Sequence, residues 1–111
     1  MFHYTDDDGF KAIPSQLDWR FKAFEPRGPH PGGAYFTPLP PGTPKLAKKL
    51  RLPRWKLEWL FEFEGDAGLT AIDDGEGRGQ YIFYSSTDYI VERSRQLFQG
   101  QTEEYPRENR Q

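Results

Sequence analysis

The chain has 111 residues and a mass of 13.0 kDa, room for one core and not for two. Fifteen basic side chains against seventeen acidic ones give a formal charge of −2, so no summed field draws a nucleic-acid backbone non-specifically. The absence of cysteine excludes disulfides, thiolate metal sites and a cysteine nucleophile, while nine Phe, six Tyr and three Trp argue against disorder and for a small aromatic core.

Phe2–Tyr4 reads as a short first strand. Asp6 then stands where it can cap a helix over Asp7–Ile13, with acidic residues in the first turn, Phe10 and Ile13 on one side, and Pro14 as the stop. Trp19–Phe24 alternates Trp19 and Phe21 against Arg20 and Lys22 and predicts a second strand. Between Pro26 and Pro44 the prolines crowd into two loops, Pro26–Gly33 and Pro38–Pro44, around an extended piece, Ala34–Thr37. Thr43 followed by Pro44 predicts a helix start, with Pro44 in the first turn, Leu46, Ala47 and Leu50 on one face, and an end at Pro53.

Trp55–Glu64 carries the strongest strand signal: Trp55, Leu57, Trp59, Phe61 and Phe63 alternate with polar residues, interrupted by Leu60. Gln80–Tyr84 and Tyr89–Val91 predict two more strands, and Asp73–Gly79 reads as a glycine-rich turn joining antiparallel partners. From Gln101 the chain turns polar and is expected to fray. Helices come early and most β-structure later, which is an α+β arrangement rather than alternating βαβ units. Residues 1–100 are expected to form one domain and 101–111 a flexible tail.

Three segments could carry chemistry. His3-Tyr4-Thr5 ends a strand just ahead of a helix. Gly32-Gly33-Ala34-Tyr35-Phe36-Thr37-Pro38 lets the backbone approach closely and presents Tyr35 and Phe36 to opposite faces. Asp88 opens a strand after Ser85-Ser86-Thr87, where a carboxylate either forms a turn or is displayed for function. The second histidine, His30, sits in a proline-rich loop at no ligand spacing from the first, and no HExxH occurs, so no metal is expected. Phosphate-binding glycine loops and a nucleophile elbow are absent too. Lys45–Arg54 is a basic run, by default a solvated face, that could also touch a phosphate or a protein.

Together, His3-Tyr4-Thr5, the stretch GAYFTPLPPGT from Gly33 to Thr43, and Asp88 after a Tyr-Ile-Phe-Tyr strand resemble the small ADP-ribosyltransferase toxin family named for its His-Tyr-Asp signature. The resemblance spans roughly Phe2 to Phe98, and its glycine-Tyr-Phe core is similar to the second motif of diphtheria-toxin-like and poly-ADP-ribose polymerase folds. It implies two small sheets with NAD in a cleft between them. By the resemblance His3 holds a ribose hydroxyl, the Tyr4 and Thr5 backbone binds the nicotinamide carboxamide, Tyr35 stacks on the nicotinamide, and Thr43 places a hydroxyl near the carboxamide. Asp88 would be the catalytic carboxylate, with Glu92 as the competing position; many members of the wider superfamily have Glu there.

The implied activity is transfer of ADP-ribose from NAD to an acceptor, with NAD hydrolysis as the close enzymatic neighbour. Cleaving the nicotinamide–ribose bond builds an oxocarbenium-like centre that a carboxylate stabilises, and the leaving group needs no proton, so neither a second acid nor a metal is required. A protein acceptor is expected rather than a nucleic acid. A non-catalytic module that binds peptides through proline-rich loops and aromatic faces is the reading from another class; phosphate transfer from RNA ranks lower because Tyr35 occupies the place of a second motif histidine. No apolar stretch approaches a membrane span, and the chain is expected to be soluble, whether cytoplasmic or delivered as an effector.

Overall fold

A computed structural model describes residues 1–13, 17–26, 32–73, 77 and 80–106, and among these described residues there are eight short strands, two helices and several 3₁₀ turns. The strands are β1 (Phe2–Thr5), β2 (Trp19–Phe21), β3 (Ala34–Phe36), β4 (Trp59–Phe63), β5 (Thr70–Ala71), β6 (Phe83–Ser85), β7 (Tyr89–Val91) and β8 (Gln96–Gln101). Helix α1 covers Asp7–Ala12 and α2 covers Leu46–Leu50. They form three antiparallel sheets, ordered β1-β4-β8, β2-β7 and β3-β6-β5. A compact α+β chain with two short helices is thus what the sequence leads to, with three sheets in place of two.

The β1-β4-β8 and β3-β6-β5 sheets meet edge to edge through one bridge, in which the Phe2 N–H donates to Thr37 C=O at 2.7 Å and the Thr37 N–H to Phe2 C=O at 2.9 Å. Two apolar clusters flank this seam. The first joins Trp19 and Phe21 of β2, Ala34 and Phe36 of β3, Phe61 and Phe63 of β4, and Tyr89 and Val91 of β7. The second joins Phe2 and Tyr4 of β1 with Leu50, Leu60, Ile72, Ile82 and Tyr105.

Strand β4 divides the two clusters, so both its faces are buried. Leu60, which breaks the one-sided alternation of the sequence, has zero exposure and faces the second cluster, while Phe61 and Phe63 face the first. The expected strand over Trp55–Glu64 is correspondingly shorter. Arg54–Leu57 is a 3₁₀ turn after Pro53, and Trp55 is left 55% exposed.

Other expectations shift in detail. Asp6 caps α1 as anticipated, accepting from the Gly9 N–H at 2.7 Å. Thr43 does not cap α2: its hydroxyl donates to Pro40 C=O at 2.6 Å, closing a turn, and Lys45 precedes the helix in left-handed conformation with φ 58°. Gly33, with φ +144°, lies so close to β6 that a Cβ there would fall 2.2 Å from Ser85 O, which is why the paired glycines precede β3. The expected turn at Asp73–Gly79 and His30 lie largely or wholly outside the described residues, although β5 and β6 pair antiparallel as that turn requires.

The C-terminal expectation is overturned through residue 106. Gln96–Gln101 pairs with β4, Thr102–Glu104 forms a 3₁₀ turn, and Tyr105 is 3% exposed in the second cluster. Of the polar side chains that suggested fraying, Gln101 ends an edge strand and Thr102–Glu104 form the turn that carries Tyr105 into the core.

Candidate functional site

His3 and Tyr35 are brought together across the seam. Beyond the Phe2–Thr37 bridge, the Tyr35 carbonyl is met by the His3 ring, with Nδ1 at 2.9 Å. A carbonyl can only accept, so Nδ1 carries the proton and, in the neutral ring, Nε2 is left as an acceptor. The imidazole rests against Phe21, Phe36 and Phe61, with centroids 4.8, 5.5 and 6.4 Å away. Burial among these rings pushes its pKa below the ordinary value, against the upward pull of the Tyr35 carbonyl.

The two rings take opposite sides of the strands. His3 pairs with Phe61 and shares its face toward the first cluster, whereas Tyr35, opposite Tyr84 in the β3–β6 register, packs against the second. The Tyr35 and Tyr84 rings lie 6.1 Å apart at 31°, and each is partly exposed. Tyr84 therefore extends the flat surface that Tyr35 offers. Alternation along Gln80–Tyr84 could have revealed it, since its register with Tyr35 follows once β3 and β6 pair.

The neighbouring candidates are held structurally. The Tyr4 ring is buried and its hydroxyl donates to Leu39 C=O at 2.8 Å. Thr5 is buried beneath α1, where a Cβ on Gly9 would come within 1.9 Å of its Oγ1. Thr43 is committed to Pro40, as described above.

Asp88 sits elsewhere. Its Oδ1 accepts from the Ala23 N–H at 2.9 Å and its Oδ2 from Arg20 Nε at 3.1 Å. Trp19 and Phe21 turn inward from β2, as do Tyr89 and Val91 from β7; Arg20 and Ile90 turn outward. Asp88, bonded to Arg20, therefore lies on the solvent side of the sheet whose inner side touches His3. The Ala23 N–H and then Arg20 hold its carboxyl below the usual carboxylate range. Arg20 carries no motif that marks it as the partner of Asp88, although alternation in Trp19-Arg20-Phe21 already places it outward. Glu92, at the far end of β7, is exposed and its carbonyl accepts from the Arg95 N–H at 2.9 Å.

No group of three or more acidic or histidine side chains is positioned to hold a metal among the described residues. An open hollow of about 460 Å³, lined by Glu62, Leu97, Phe98, Tyr105 and Pro106, lies on β8 and the turn after it and contains none of the candidate residues. No described helix is long and apolar enough to cross a membrane. Comparison of the chain with protein-family models, curated proteins and solved structures returns no match.

Proposed function

We propose that the chain is an NAD-dependent mono-ADP-ribosyltransferase, cleaving the nicotinamide–ribose bond and passing ADP-ribose to a protein acceptor. The observation that carries this reading is the His3–Tyr35 hydrogen bond where the β1–β3 pairing ends. It fixes the tautomer that leaves Nε2 to accept from a ribose hydroxyl, and it does so in the two motifs that resemble the His-Tyr-Asp family. Nicotinamide in NAD is a flat cation, which the Tyr35 face attracts by about 0.5–2 kcal/mol.

In the reaction the glycosidic C–N bond breaks with its electron pair going to the nicotinamide, which leaves neutral. The ribose carbon then bonds to an acceptor nucleophile that gives up its proton; when water takes that place, the product is free ADP-ribose. A carboxylate stabilises the positive charge at the ribose carbon. Asp88 matches the motif, while its bonds to Arg20 and Ala23 spend its charge at the surface, which makes Glu92 the position to compare with it.

The test is free nicotinamide released from NAD, followed with and without a protein lysate and labelled NAD. Release that needs His3 and Tyr35 is expected, with a labelled protein band; release without label identifies NAD hydrolysis. Replacing the working carboxylate by alanine should cost about 10²–10³-fold, so Asp88→Ala and Glu92→Ala assign the role between them. Absence of both nicotinamide release and any rise in melting temperature at millimolar NAD would overturn the proposal, since a ligand of the native state must stabilise it by mass action.

A further inference from the structure

Charge is strongly segregated along the chain. Residues 26–57 contain seven of the fifteen basic side chains and none of the seventeen acidic ones. Five of the seven fall in Lys45–Arg54, on α2 and the turn that follows. The apolar residues of this segment, Leu46, Leu50, Leu52 and Leu57, all pack into the second cluster, and Lys45, Lys48, Arg51 and Arg54 are exposed, with Lys49 partly so. Lys48 and Lys49 lie on the five-residue α2, Lys45 and Arg51 flank it, and Arg54 opens the turn that follows. Trp55 stands among them at 55% exposure, between Arg54 and Lys56, whose Nζ lies 5.1 Å from its ring centroid. Lys56 is also paired with Asp6 at 3.4 Å, and Lys45, Lys48, Lys49 and Arg54 are the cations a phosphate chain would meet.

We propose that this surface binds single-stranded nucleic acid, with Trp55 as the platform on which a base stacks and the 45–54 cations following the phosphates. Four cations close in the chain to an exposed indole combine the two elements such sites use: a positive track for the backbone and an aromatic face indifferent to sequence. A lipid surface is a poorer fit, because the leucines that would enter it face the core. An acidic peptide would use the cations and leave the indole idle. The near-neutral total charge hides the site, since the acids elsewhere repel a polyanion and confine it to this patch. The inference is independent of the NAD reading.

Fluorescence anisotropy of a labelled oligouridylate about a dozen nucleotides long, titrated with the full chain and without NAD, tests it. Binding should weaken with salt at a log–log slope of about −3, as about four neutralised phosphates require in a single strand. Trp55→Ala should weaken binding ~5- to 100-fold, and Lys48→Glu or Arg54→Glu should weaken it and flatten the slope. All three positions are exposed, so melting curves should stay at the wild-type value, and Lys11→Glu on α1 should bind normally. No binding at ~0.1 mM protein, unchanged affinity in Trp55→Ala, or equal displacement of the oligonucleotide by polyglutamate would each overturn the proposal, the last in favour of an acidic protein partner.

Discussion

Replacing Tyr105 by alanine should destabilise the protein by about 4 kcal/mol. The ring is 3% exposed, stands edge-on to Phe2 and Phe98 at 5.7 and 5.2 Å, and its hydroxyl donates to Glu62 Oε1 at 3.0 Å. Truncating a buried aromatic to alanine costs about 3–5 kcal/mol through lost transfer energy and the cavity left behind. The hydroxyl supplies about 1 kcal/mol of this, because Glu62 is only half-buried and water can replace its partner. Tyr105→Phe should therefore lose about 1 kcal/mol. At roughly 4–6 °C per kcal/mol for a chain of this size, the expected falls in Tm are about 15–25 °C for alanine and about 5 °C for phenylalanine. Circular dichroism melts checked by urea titration read both. If Tyr105→Ala melts within about 3 °C of the wild type, residues 102–106 are the frayed tail that their polarity suggests and not a wall of the second cluster.

Burial holds the folded-state pKa of His3 below its unfolded value of about 6.5. The folded protein then binds fewer protons, so stability should fall as pH drops through and below 6.5. His3→Gln should flatten this slope in urea midpoints measured from pH 7.5 to 5, with His30 common to both proteins. Gly33→Ala should cost 2 kcal/mol or more, since a Cβ there meets backbone at 2.2 Å and φ is +144°; an unchanged urea midpoint would contradict the close β3–β6 contact. Asp6→Ala removes the cap on the Gly9 N–H and should cost about 1 kcal/mol in the same assay.

Where local pattern and burial agree, the elements are legible in sequence. The alternation Trp19-Arg20-Phe21, the capping Asp6 and the extended Ala34–Phe36 reappear as β2, the start of α1, and β3. Period two misleads at β4 because alternation signals a strand with one wet face, and on β4 that face carries the fully buried Leu60 of the second cluster beside the half-buried Glu62. Thr43-Pro44 imitates a helix start, but the left-handed turn at Lys45 intervenes. Strand β8 was hidden because Gln96, Gln99 and Gln101 carry no hydrophobic pattern, and what holds them is the ladder to β4.

The site divides along the same line. His3 and Tyr35 can be named from their motifs, whereas their contact depends on a seam between sheets that no local pattern encodes. Asp88 is equally visible in the sequence, but its partner Arg20 lies 68 residues away and fixes which side of the sheet it serves.

The single bridge between β1 and β3 gives the molecule a line along which it can open. On one side β1, β4 and β8 are stitched by ladders, and on the other β3, β5 and β6 are. Across the line run two backbone bonds, the His3–Tyr35 bond and the Tyr4 hydroxyl's bond to Leu39 C=O, together with the packing of both apolar clusters. Parting the seam breaks these while leaving both registers whole, so the amides of Phe2 and Thr37 should lose protection together and ahead of those inside either sheet. Whatever enters between His3 and Tyr35 works against those bonds and against the packing of both clusters, and occupancy there should be read at the Thr37 amide, on the opposite edge of the line.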